Sequence, residues 1–194
     1  MTKEKLNLTG WLSIANAFFA IPSIGMSWFL ESMGGSGAKL SQIILTVVGV
    51  GLFLYIITSL KKLLNGRFNF YDVNIYILLL IWGNIVLAAL SLISIGSKRL
   101  EGGMGALSIA AVVFFGILSI LFATRLLRLP GTLYGLLKPY CYITIGSGVC
   151  LITVFLFPIG VIAGAVTDVI LGVIFFRAAE EPPSPDEIFK TPIG

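Results

Sequence analysis

Asp168 is the residue with the most chemistry to offer. It stands in the middle of the apolar run IGVIAGAVTDVILGVIFF, residues 159–176. A carboxylate at the centre of a bilayer costs about 2.5–3.5 kcal/mol. No Lys or Arg lies at comparable depth to pair with it. It must therefore be protonated or take hydrogen bonds from polar groups on other helices, and Asn16, Asn84, Thr144 and Ser147 are the candidates. Two roles follow: an interhelical hydrogen bond that sets packing, or a protonatable site in a proton or solute path. Gly160, Gly164, Asp168 and Gly172 recur every four residues. Small residues at that spacing let another backbone approach closely. The spacing places Asp168 in a helix–helix seam rather than against lipid. Packing is the favoured role, because one acid without a basic partner is thin material for a relay.

Other chemistry is largely excluded. The chain has no histidine, which removes imidazole acid–base catalysis, His-ligated metals and Ser-His or Cys-His nucleophile pairs. Gly34-Gly35-Ser36-Gly37 spells the G-x-S-G of an intramembrane serine protease, but with no base to activate the serine it reads as a flexible loop. Asp72 and Asp168 lack the G-x-G-D element of intramembrane aspartyl proteases, and Asp72 falls at the edge of a span. Cys141 and Cys150 are nine apart on one helix, hence on opposite faces, and form neither a disulfide nor a metal motif. No dinucleotide or P-loop fingerprint occurs. The expectation is a non-enzyme with no catalytic residues, no metal site and no cofactor.

The elements that must position Asp168 are membrane helices. Of 194 residues, 57% are hydrophobic and 11% charged, against about a quarter charged in soluble domains. Mean hydropathy is +1.02. Apolar runs fall at about 9–30, 40–60, 73–95, 104–124, 140–157 and 159–176. Trp11 and Trp28 bracket the first run about 25 Å apart, near the hydrocarbon thickness, and Pro22 is expected to kink it. The first run is too long for a signal peptide. Leu133 to Pro139 is a short apolar segment expected to lie in the interface. The predicted fold is an all-α integral membrane protein with one domain over 1–177. A flexible, Pro-rich, acidic tail follows over 178–194.

Six spans form three hairpins, and the basic residues orient them. The amino terminus and the linkers after the second, fourth and sixth runs hold Lys3, Lys5, Lys61, Lys62, Arg67, Arg125, Arg128, Lys138, Arg177 and Lys190; the opposite loops hold Lys39, Lys98 and Arg99. The positive-inside rule then puts both termini in the cytoplasm. The sequon Asn7-Leu8-Thr9 falls on that side and is expected to be inert. Pro158-Ile159-Gly160 is the expected corner of the third hairpin; its rival, one kinked or re-entrant element, gives five crossings. A shift of 63 residues lays Gly83-Asn84 on Gly146-Ser147, and a shift of 68 lays Asn16 on Asn84. That suggests three repeated hairpins, each odd helix carrying a small polar group at similar depth.

Three hairpins ending in GAVTDVILGVIFFRAAE resemble small six-helix prokaryotic membrane proteins without an assigned activity, the HdeD-like acid-resistance family among them. The resemblance is one of architecture and carries no functional residue. It implies a multi-pass protein of the prokaryotic cytoplasmic (inner) membrane. Expected partners are the lipid bilayer and either a second copy or another membrane protein; segregated charge of this kind marks topology, not nucleic-acid binding. Lys61, Lys62, Arg67, Arg125 and Arg128, with nearby Phe and Tyr, are candidate contacts for anionic headgroups. The function expected is a non-catalytic scaffold or subunit, and the alternative is a narrow channel or transporter using Asp168, Asn84, Asn16 and Ser147. A topology reporter fused after Arg177 is expected on the cytoplasmic side; a fusion active outside the cell contradicts the orientation.

Overall fold

The computed structural model describes residues 1–33, 36–96, 101–153 and 155–181. Among them there are six helices and no strand: α1 (Lys3–Met33), α2 (Ser36–Arg67), α3 (Asn74–Gly96), α4 (Glu101–Leu126), α5 (Leu137–Ile152) and α6 (Phe157–Glu180). In lipid a backbone must satisfy its own hydrogen bonds, so apolar runs of this length become helices. Among the described residues, four segments are long and apolar enough to cross a membrane: Gly37–Arg67, Asn74–Ile93, Ile109–Leu126 and Phe157–Glu180. α5 is apolar but only 16 residues long. The expected tail falls almost wholly outside the described residues.

Several boundaries differ from the sequence expectation. α1 and α2 extend past their apolar runs because amphipathic turns continue them: Leu6, Leu60, Leu63 and Leu64 are all buried. α2 stops where Asn69 enters the left-handed region at φ 50°, which Asn tolerates, and the Phe70 N–H then reaches back to the Leu64 carbonyl at 3.2 Å. The third hairpin turns before Pro158, not at Pro158-Ile159-Gly160. Pro158 lies in the first turn of α6, where its missing N–H costs nothing, and Gly160 is already helical. α5 ends at Ile152 instead of reaching residue 157. Within the short apolar segment Leu133 to Pro139, Leu133 and Leu137 are buried in the core.

The helices form a ring in chain order, and α6 closes back on α1. The most extensive contacts are α1 with α6 and α4 with α5, so the tight seams run between hairpins rather than within them. Glycine explains both. A Cβ on Gly148 would lie 2.7 Å from the Gly116 carbonyl oxygen, and one on Gly116 would lie 2.7 Å from the Gly148 oxygen. A Cβ on Gly172 would lie 2.9 Å from the Gly10 oxygen. α2 meets α3 without such a pair, and Gly49 and Gly51 of α2 have nothing within 4 Å. The contacts of α2 with α3 and of α3 with α4 are correspondingly sparse.

The apolar core gathers at one end of the ring, where α1, α3 and α5 begin and α2, α4 and α6 end. Leu60, Leu64, Ile77, Leu126, Ile174 and Phe175 are among its largest fully buried members. Gly148→Ala is expected to destabilise the bundle by about 1–3 kcal/mol through overpacking. Gly146→Ala, on the same helix but with open space around it, should be neutral or slightly stabilising. Unfolding in mixed detergent micelles measures both, and equal effects would remove the glycine seam as the explanation.

Candidate functional site: the polar clasp between the first and last helices

α1 and α6 run antiparallel, and Gly10 against Gly172 sets their separation. Ile14 packs over Gly172, with its Cγ1 2.9 Å from where a Cβ would stand. Trp11 meets Phe176 edge-on, with ring centroids 5.4 Å apart. One turn further along α6 the two backbones are close enough for short polar side chains to meet. Asn16 Nδ2 donates to Asp168 Oδ2 at 2.8 Å. Both residues are half-buried. Tyr140, buried at the start of α5, lies within electrostatic reach of the carboxylate. Beyond the clasp the helices part around an open, largely apolar groove of about 360 Å³, which Ala17, Pro22, Ile162 and Val169 help to line.

The four-residue spacing of Gly160, Gly164, Asp168 and Gly172 does not make one seam. Four residues advance about 400° around an α-helix, so each step drifts by about 40°. Over three steps the stripe turns from one neighbour to the next. A Cβ on Gly160 would meet Cys150 and Leu151 of α5 at 3.2 Å, and one on Gly164 would meet Ser147 Oγ at 3.7 Å. Asp168 and Gly172 face α1 instead.

The remaining polar candidates are occupied elsewhere. Ser147 donates to the Gly160 carbonyl at 2.8 Å, which ties α5 to α6. Thr144 donates to the Tyr140 carbonyl one turn back in its own helix, at 2.7 Å. Asn84 sits on α3, whose packing neighbours are α2 and α4, and its Oδ1 is buried without a hydrogen-bond partner. The structure therefore joins Asn16 to Asp168 and leaves Asn84 and Ser147 out of that contact. Ser13, one turn before Asn16, is fully buried with no partner for its hydroxyl. A lone serine in an apolar run carries no signal in the sequence. Cys141 and Cys150 are both free thiols.

The basic residues divide in the same way. Arg67 donates to the Tyr134 hydroxyl at 2.8 Å and Arg177 to the Tyr134 carbonyl at 2.8 Å. Phe68 packs edge-on to the Tyr134 ring. These contacts hold Leu133, Tyr134 and Gly135 in three successive left-handed conformations, φ 45°, 58° and 80°. For the two non-glycine residues that conformation costs about 1–2 kcal/mol each. Arg67 thus braces the fold through Tyr134. Lys62, Arg125 and Arg128 are exposed, and Lys61 is half-buried. Among the described residues no cluster of three metal-ligating side chains occurs.

The chain matches no known family model, no characterised protein and no solved structure. Its function has to be read from this geometry. Asn16→Ala and Asp168→Ala, measured singly and together by unfolding in micelles, should show a coupling of about 0.6 kcal/mol and at most about 1.7. Strict additivity would mean that the contact contributes nothing to the seam.

Proposed function

We propose that this chain is a non-catalytic multi-pass protein of the prokaryotic cytoplasmic membrane. In this reading it has six crossings and both termini inside, and acts as a scaffold or subunit through association in the bilayer. The observation that carries the reading is the use made of Asp168. The one acid at mid-span is hydrogen-bonded to Asn16 in the seam that closes the ring. The polar layer that a path would need is dispersed: Ser147 is tied to Gly160, and Asn84 belongs to a helix packed between α2 and α4. The architectural likeness to small six-helix membrane proteins such as the HdeD-like family supports the same reading. Association is supported by the open space over Gly49 and Gly146, where another helix can approach closely.

A narrow proton or solute path is the second reading, and Ser13 favours it. A buried hydroxyl without a partner, one turn from Asn16 and Asp168, is a group that water or an ion would satisfy. Flux separates the two. Proteoliposomes of the purified chain are expected to leak protons and small solutes no faster than protein-free vesicles at any pH, and Asp168→Asn, which keeps an acceptor for Asn16, should change neither folding nor leak. A pH-dependent leak that Asp168→Asn abolishes overturns the scaffold reading.

A further inference from the structure

A cleft of about 500 Å³ opens between the start of α1 and the last four turns of α2. Its walls carry Met1 and Thr2, just before α1, Lys5 from α1, and Tyr55, Ser59 and Lys62 from α2. The three α2 residues follow at steps of four and three, so they share one helix face. Lys5 and Lys62 are exposed and come from different helices, and Ser59 is buried in the floor. Among the described residues neither lysine takes part in an ion pair. Two unpaired lysine ammonium groups, with the hydroxyls of Ser59 and Tyr55 below them on α2, form a receptor for a doubly coordinated anion, and phosphate is the anion with that charge and number of acceptors.

The axial order of these groups says which phosphate. Tyr55 lies seven residues, about 10 Å, deeper along α2 than Lys62. Charge therefore stands at the rim and hydroxyls below it. Deeper still, the same face continues with Gly51, which has nothing within 4 Å, and the exposed Val48. A free phosphate uses only the rim. An acidic phospholipid uses every level: phosphate at the lysines, glycerol and ester oxygens at the hydroxyls, and an acyl chain along Gly51 and Val48. We propose that this cleft binds the headgroup of one acidic phospholipid, with Lys5 and Lys62 pairing to its phosphate and Ser59 and Tyr55 hydrogen-bonding beneath it. The proposal rests on the membrane reading and is independent of whether the chain is a scaffold or a path.

Native mass spectrometry of the full chain in detergent, with phosphatidylglycerol, phosphatidylcholine or inorganic phosphate added, tests it. Retention of phosphatidylglycerol over phosphatidylcholine is expected. Lys5→Gln with Lys62→Gln should weaken that retention about 30-fold, at about one surface-charge contribution per lysine. Lys5→Arg with Lys62→Arg should keep it, which separates lost binding from lost folding. Lys3→Gln with Lys138→Gln removes equal charge from the same end, outside the cleft, and should leave retention within about twofold. An equal loss in that control pair reduces the effect to general surface charge and overturns the site. Displacement of the lipid by inorganic phosphate at equal concentration assigns the anion to the soluble pool and overturns the lipid assignment.

Discussion

Gly10 and Gly172 let two backbones touch, and everything particular about this bundle follows from how close they come. Without side chains at those positions, α1 and α6 approach until Ile14 and Phe176 pack directly over the opposing glycines. Only then do Asn16 and Asp168 reach each other. The polar contact is the weaker contributor to affinity, since an interhelical hydrogen bond in a membrane averages about 0.6 kcal/mol. Its larger effect is on register. A slip of α6 along α1 strands a carboxylate in hydrocarbon, at about 2.5–3.5 kcal/mol. The wrong register loses more than the right one gains, so the pair acts as a specificity device laid over a dispersion-driven seam.

The ring is not packed evenly, and the distribution of glycine accounts for much of that. α4, α5, α6 and α1 form an arc held by two glycine contacts and the Ser147–Gly160 bond. α2 and α3 complete the circle with no equivalent. At the end where the core is densest, the linker between α4 and α5 is drawn across toward α2 and α6 by Arg67 and Arg177. Tyr134 receives both, one at its hydroxyl and one at its carbonyl, while the left-handed turn beneath it buries Leu133. Two cations that the charge pattern marks for orientation are in this way also used to seal one end of the bundle.

Much of the architecture was legible in the residues. Long apolar runs predict helices, the backbone form that satisfies its own hydrogen bonds, and the helices are there. The importance of Asp168 and the candidacy of Asn16 could be read from depth alone. What could not be read was the pairing. Asn16, Asn84 and Ser147 are equivalent by depth, and only the order of helices around the ring separates them. The glycine stripe misled for a simpler reason: a spacing of four looks straight in sequence but winds around the helix, so its two ends serve different neighbours. Pro158 misled as well, because proline marks both the end of one helix and the first turn of the next. The left-handed turn at Leu133 and Tyr134 had no signal beyond Gly135, because two non-glycine residues adopt that conformation only when the surroundings hold them there.

The clasp joins residues 152 positions apart, the first helix to the last, and that separation has a bearing on how the protein is made. In the multi-pass reading proposed above, a chain threaded into the bilayer from its amino terminus delivers Asn16 long before its partner exists. An uncharged carboxamide can wait in a membrane at moderate cost, whereas an aspartate is among the residues hydrocarbon tolerates least. The order of synthesis matches that difference. The tolerable group enters first and stands ready, and the intolerable one enters with the final span, when the helix that accommodates it is already in place.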